Sequence, residues 1–203
     1  MMTLETERYS QQLQQWPAAG QHILANYDEH SIVVYQAYRA SIGRYALEHG
    51  RLGGTDFSFS RMSWIKPNFL WMMYRSGWGT QPGQEYVLGL RVRRSFFDAL
   101  LRDAVPSSFG ASQFGSMEDW QAAVESSAVR LQWDPDHAPS GARCERRAVQ
   151  LGLRGQTLDA FATEELLEVI DMRSLVAEQR LHAQDDSLAL LTPRERVYEP
   201  LKA

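Results

Sequence analysis

The stretch FSRMSWIKPNFLWMMYRS, running from Phe59 to Ser76, decides how this chain folds. Proline has no N–H and a fixed backbone angle, so a short strand over Phe59–Lys66 ends at Pro67. The same residue suits the first position of a new helix, where its N–H would be unpaired anyway. That helix, Asn68 to Ser76, carries Phe69, Leu70, Trp71, Met72, Met73 and Tyr74, apolar on nearly every side. A helix without a polar stripe has to lie inside the domain. The fold is therefore built around it.

Upstream, Ile32-Val33-Val34-Tyr35-Gln36-Ala37-Tyr38 is β-branched and aromatic and reads as a buried strand. A helix follows with Ser41 as N-cap, Ile42, Tyr45 and Ala46 on one face, and Gly50 at its left-handed end. Gly53-Gly54 marks a turn. Downstream, Gly77, Gly79, Pro82 and Gly83 form a loop, and Tyr86 to Val92 is a nearly continuous apolar strand. Ser95-Phe96-Phe97-Asp98 resembles a capping box opening a helix to about Val105. Residues 106–126 read as a loop with a helical piece from Met117 to Val124. Val129, Leu131 and Trp133 alternate with Arg130, Gln132 and Asp134, the pattern of a half-buried strand. Arg147 to Leu153 makes another. The final third is mainly helical, with strand composition at Leu166 to Met172. Together these elements predict an α+β fold: a central, mostly antiparallel or split β-sheet with flanking helices. Residues 21–185 form one domain, preceded by an N-terminal arm over 1–20 and followed by a C-terminal tail over 186–203.

Composition agrees with one domain. The chain has 203 residues, 44% hydrophobic and 23% charged, enough for a sizeable core. Net charge is -4, with a pI near 5.7, so there is no global attraction to nucleic acid or membrane. Cys144 is the single cysteine, which excludes an internal disulfide and zinc spacing; it reads as incidental in a polar loop. Met1 to Trp16 is polar and resembles no signal peptide. No apolar run approaches the roughly 20 residues a bilayer crossing needs. A cytoplasmic location, without membrane contact, is the expectation.

Charge is uneven. Between residues 61 and 94 lie Arg61, Lys66, Arg75, Arg91, Arg93 and Arg94 against one acid, Glu85. Acids dominate from Asp159 to Asp186. A basic patch on an acidic protein points to an anionic ligand; the same residues also fit solvated strand ends. Phosphate-binding P-loop, dinucleotide glycine, HExxH and GxSxG patterns are all absent. His22, His30, His49, His137 and His182 share no spacing and read as surface residues, so no metal is expected. Trp71, Met72 and Met73 fit core packing. Arg75 fits a cap on the carbonyls of its own helix.

Two resemblances extend this reading. Val34-Tyr35-Gln36-Ala37-Tyr38, the run Trp64-Ile65-Lys66-Pro67-Asn68-Phe69-Leu70-Trp71-Met72-Met73-Tyr74-Arg75-Ser76-Gly77-Trp78-Gly79, Val129 to Pro135 and Val149 to Leu153 resemble a family called domain of unknown function 4291, over roughly residues 20–185. Membership names no activity. More distantly, Tyr35-Gln36-Ala37 through Glu48-His49-Gly50-Arg51-Leu52 resembles the opening of ADP-ribosyltransferase folds. Ser63-Trp64-Ile65-Lys66 with the following helix is similar to their second motif.

That second resemblance implies NAD as substrate. Removing nicotinamide leaves an oxocarbenium-like ribose, so aromatic faces must hold the nicotinamide and arginines the pyrophosphate. It assigns Tyr35, Tyr38, Trp64, Trp71 and Tyr74 to the rings and Arg61, Lys66 and Arg75 to the phosphates. Gln36 takes the place of a histidine that binds a ribose. The glutamate expected on a late strand has no clear equivalent. Gln132 and Gln150 are the candidates there, with Glu145 just before the second strand. A glutamine orients a ribose but brings no negative charge. The acceptor of ADP-ribose would be a nucleic acid or a protein. A non-catalytic nucleotide or nucleic-acid binding module would use the same arginines and aromatics, and a protein-interaction patch is a third reading.

Overall fold

The computed structural model describes residues 4–184 and 188–201. The chain enters through β1 (Thr6–Arg8), α1 (Tyr9–Leu13), β2 (Gly20–Gln21), β3 (Leu24–Ala25), β4 (Ser31–Tyr38), α2 (Ala40–His49), β5 (Ser63–Ile65) and α3 (Phe69–Ser76). It continues through β6 (Tyr86–Arg93), α4 (Arg94–Asp103), β7 (Val105–Pro106), α5 (Met117–Ser126), β8 (Val129–His137) and β9 (Arg143–Leu153). Last come α6 (Gly155–Ala162), β10 (Leu166–Asp171), α7 (Arg173–Gln179), β11 (Leu191–Pro193) and β12 (Arg196–Val197). The fold is α+β, as the periodicities predict.

Two sheets carry the domain. The first is antiparallel with order β10-β6-β4. Ile32 and Val34 stand opposite Val92 and Leu90, and this face packs against Val129, Val149, Leu151 and Leu153 of the second sheet together with Phe97, Leu100, Leu158 and Phe161. The reverse face, with Val33, Tyr35 and Val87, is covered by Phe69, Leu70, Met72 and Met73 of α3 and Val176 of α7. Strands covered on both sides bury residues of either parity, which accounts for the nearly continuous apolar run from Tyr86 to Leu90 in β6. In the second sheet β9 pairs antiparallel with β8, and β7 lies parallel beyond it. The other edge of β9 is shared by β5, antiparallel, and β2, parallel.

The two sheets are joined where β5 ends. Ser63–Ile65 pairs with β9, and the next residue, Lys66, forms a bridge with Tyr35 of β4. The Tyr35 N–H donates to the Lys66 carbonyl at 2.7 Å and the Lys66 N–H donates back at 3.3 Å. Helix α3 then starts at Phe69, one residue later than the expected range from Asn68. Asn68 is the N-cap, its side-chain oxygen accepting the Trp71 N–H at 2.6 Å, and Pro67 lies outside. At the other end Gly77 adopts φ 55°, in the left-handed region, and its N–H returns to Met73 and Tyr74. Helix α2 likewise begins earlier than expected, with Arg39 and not Ser41 at its N-cap.

The segments that composition sets apart at the two ends are stitched together. β1 pairs with β11 and β3 with β12. Trp16 is 7% exposed, and its indole donates to the Glu195 carbonyl at 2.9 Å. Glu195 is itself buried, and its carboxyl accepts the first N–H of α3, from Phe69, at 2.7 Å. Burial, reinforced by the Asp136 charge, holds that carboxyl well above the ordinary carboxylate range against the lowering effect of the Phe69 bond. A buried Arg146–Asp136 pair at 2.7 Å ties β9 to β8 beneath Trp16. Truncating Trp16 to alanine is expected to cost about 3–5 kcal/mol in urea unfolding; a loss below about 1 kcal/mol would contradict a docked N-terminal segment.

Candidate functional site

Cross-strand partners point to the same side of a sheet. On the side of the second sheet away from the core, the pairs Arg130–Gly152, Gln132–Gln150 and Asp134–Ala148 therefore form one surface. Trp64 joins it, because it sits opposite Gly152 on the other edge of β9. A Cβ at position 152 would lie 3.0 Å from the Trp64 ring and 2.6 Å from the Met62 sulfur. Glycine there lets both side chains lie flat on the strand.

Asp134 is the centre of this surface. Gln132 donates to one of its carboxylate oxygens at 2.8 Å and Gln150 to the other at 2.8 Å. Ser107 donates to the Gln132 oxygen at 3.4 Å. Gln132 and Gln150 thus come together, as the assigned late-strand residues, around a carboxylate that sequence reading left as an ordinary polar position. The signal was the two-residue spacing from Gln132 on an alternating strand. A charge in such a pattern usually faces solvent, and so Asp134 drew no notice.

Lys66 follows Ile65 at the joint between the sheets and is 6% exposed. Its amine makes no hydrogen bond or ion pair with any described residue. Burial, with the neighbouring Arg75 charge, lowers its pKa to about 8, opposed by the attraction of Asp134. Trp71 and His137 stack with ring centres 5.3 Å apart, and the exposed Tyr74 ring lies 3.6 Å from His137. The Trp71 indole nitrogen and His137 Nδ1 are both buried without a partner among the described residues. The charge of Asp134 acts on both Lys66 and His137, so these groups share one corner. Burial lowers the His137 pKa, with Arg143 adding to that and Asp136 and Asp134 opposing it. His137 is 3% exposed, which corrects its reading as a surface residue. Buried polar groups are nearly always paired, and unpaired ones gathered beside a carboxylate fit a ligand site.

The basic patch divides in the same way. Arg91 pairs with Glu168 at 2.9 Å and Arg93 with Glu165 at 3.3 Å, both partners on or beside β10. Arg94 donates to the Asp28 and Glu199 carbonyls. The late acidic stretch therefore neutralises the β6 arginines. Among the described residues Arg61, Lys66 and Arg75 make no ion pair. Arg75 does not cap its own helix, since Gly77 closes it.

Three other candidates lie elsewhere. Tyr35 is fully buried, edge-on to Phe69 beneath α3. Gln36 donates to the Ser63 hydroxyl at 2.7 Å and the Trp64 carbonyl at 3.0 Å, and Tyr38 donates to its oxygen. Gln36 and Tyr38 thereby clamp β4 to β5 from the inner side. Burial raises the Tyr38 pKa, and its contact with Ser63 opposes this. Beyond Tyr74 the surface opens into a cleft of about 460 Å³ lined by Met73, Tyr74, Trp78, Pro139, Gly141 and Arg180. No metal-binding group of His, Cys, Asp or Glu occurs among the described residues, and no described helix is long and apolar enough to cross a membrane.

Residues 22–198 match the family model described as Domain of unknown function (DUF4291). None of the curated proteins matches the chain.

Lys66 and Lys202 are the two lysines of the sequence, so NMR of 13C-methylated lysines resolves the site directly. Lys66 is expected to lose its charge as pH rises through about 8, and a midpoint at the ordinary 10.5 would contradict its burial. The folded state holds this proton less tightly than the unfolded chain, so stability rises between those two values. Lys66→Met is then expected to stabilise the protein at pH 7 by about 3 kcal/mol, with the gain disappearing at high pH.

Proposed function

The chain belongs to the DUF4291 family, and from the geometry of its site we propose that it binds NAD on the outer face of the second sheet and cleaves it as an ADP-ribosyltransferase. The observation that carries this reading is the carboxylate of Asp134, fixed by two glutamine amides and close enough to act on the Lys66 amine, which has no ion-pair partner among the described residues. A carboxylate on a late strand is the negative charge that neither glutamine supplies alone.

In the proposed reaction the bond between ribose C1′ and the pyridinium nitrogen breaks. Its electron pair leaves with nicotinamide, which becomes neutral, and C1′ becomes positive. Asp134 stands opposite that developing charge, and preorganised charge in a half-buried site stabilises a transition state without reorganising. Gln132 and Gln150 hold the carboxylate in place and offer their remaining hydrogen-bonding capacity to ribose hydroxyls. Arg75 and Lys66 pair with the pyrophosphate. Trp64 covers the nicotinamide, and the cleft beside Tyr74 receives the adenosine end. An acceptor hydroxyl, amine or carboxylate then attacks C1′, releasing its proton where it has one.

The exposed Arg61 and the Phe59 ring, 38% exposed, come just before Trp64 in the chain. Base stacking and charge at such a place suit a single-stranded nucleic acid. It serves as acceptor if the site turns over, and as sole ligand if it does not.

Calorimetric titration with NAD, together with chromatography of free nicotinamide, tests the proposal. Saturable binding with nicotinamide release is expected. Asp134→Asn should lower release about 100-fold or more while NAD still binds, and Arg75→Ala should weaken binding about tenfold. Absence of binding at about millimolar NAD would overturn the reading. Salt-sensitive binding of an oligonucleotide in that case would leave the nucleic-acid module.

A further inference from the structure

We propose that Lys66 is an imine-forming amine, and that this corner of the site takes an aldehyde bearing a phosphate, such as a ring-opened sugar phosphate. The inference goes beyond dinucleotide binding and does not require it.

The first support is the choice of residue. Of 21 basic side chains, 19 are arginine and only Lys66 and Lys202 are lysine. Arginine is the stronger and more specific phosphate partner and stays charged in proteins. A site needing only positive charge at position 66 would be served by the residue this chain uses everywhere else. Lysine adds one property, an amine that can shed its proton and attack carbon.

The second support is placement. Lys66 is 6% exposed and its amine has no described partner to be broken away from. Lysines become nucleophiles when desolvated or set beside another cation, and both conditions hold here through burial and Arg75. Arg75 is exposed and makes no ion pair among the described residues, which leaves it to take the phosphate. Asp134, fixed by Gln132 and Gln150, supplies the proton relay that the chemistry needs. With its pKa lowered to about 8, a useful fraction of the amine is neutral near pH 7.

The step balances without an oxidant or reductant. The amine lone pair adds to the carbonyl carbon, and an N–H proton passes to the new alkoxide to give a carbinolamine. A second proton transfer, through Asp134, lets the hydroxyl leave as water, and the C=N bond forms.

The full-length chain is incubated with ribose 5-phosphate and cyanoborohydride, which traps the imine as a secondary amine, and the adducts are mapped by peptide mass spectrometry. Lys66 should be modified about tenfold faster than Lys202, as its lowered proton affinity outweighs its lost basicity, and the phosphorylated sugar should favour it over the terminal amine. Unphosphorylated ribose should react more slowly at Lys66, and Arg75→Ala should erase the difference between the two sugars. Equal labelling of all the amines, or an untouched Lys66, would overturn the proposal. ADP-ribose in place of ribose 5-phosphate distinguishes a nucleotide source from a free sugar phosphate by which is trapped faster. A chain that traps the aldehyde but does not bind NAD keeps this inference and loses the dinucleotide reading.

Discussion

Lys66 and Tyr35 exchange two backbone hydrogen bonds at the place where β5 ends its pairing with the second sheet. The strand that pairs with β9 through Ser63, Trp64 and Ile65 becomes, one residue later, a partner of β4. Much follows from that crossing. Alternation along an extended backbone sends Ile65 into the core and turns Trp64 and Lys66 to the opposite face. The side chain of Gln36 fastens the same crossing from within by donating to Ser63 and Trp64. Pro67 then prevents the strand from continuing, and Asn68 starts α3 at once. The helix is delivered across the reverse face of β4, where its apolar surface is covered.

A buried lysine is costly unless a ligand or a lost proton relieves it. The structure gives it no ion pair among described residues, yet sets Asp134 close enough to attract it and Arg75 close enough to repel it. The arginines that might have crowded the same region are drawn off to Glu165 and Glu168 on the far side of the first sheet. Beside the joint the Trp71 indole, His137 Nδ1 and the Tyr35 hydroxyl are buried with their hydrogen-bonding capacity unspent among the described residues. Stability alone would favour apolar residues in those positions.

Much of this fold was legible along the chain. The aromatic helix announced its burial by lacking a polar side. The strand at Val129–Trp133 announced its exposed face by strict alternation, and β4 and β6 by β-branched runs. The ends were not legible, because Thr6–Arg8 pairs with Leu191–Pro193 across almost the whole chain and neither segment carries a pattern of its own. The start of β9 was hidden by Arg143, Glu145 and Arg146, charges whose partner, in the case of Arg146, is a buried Asp136 on the neighbouring strand. Within the site, residue types pointed to Trp64, Lys66 and Arg75. Asp134 and His137 were missed because their importance comes from the register of β8 against β9 and from α3 docking beside them. Neither relation exists in one dimension.

The central claim is that the unpaired corner around Asp134 is where a ligand binds. The six tryptophans report on it through their indole N–H signals in 15N NMR. Trp16 and Trp120 already donate to carbonyls, at 2.9 Å each, whereas the Trp71 indole is buried and has no partner among the described residues. Adding NAD should move the Trp71 and Trp64 signals and leave those of Trp16 and Trp120 in place. A Trp71 signal that stays fixed while NAD binds elsewhere, or moves no indole at all, would contradict the account.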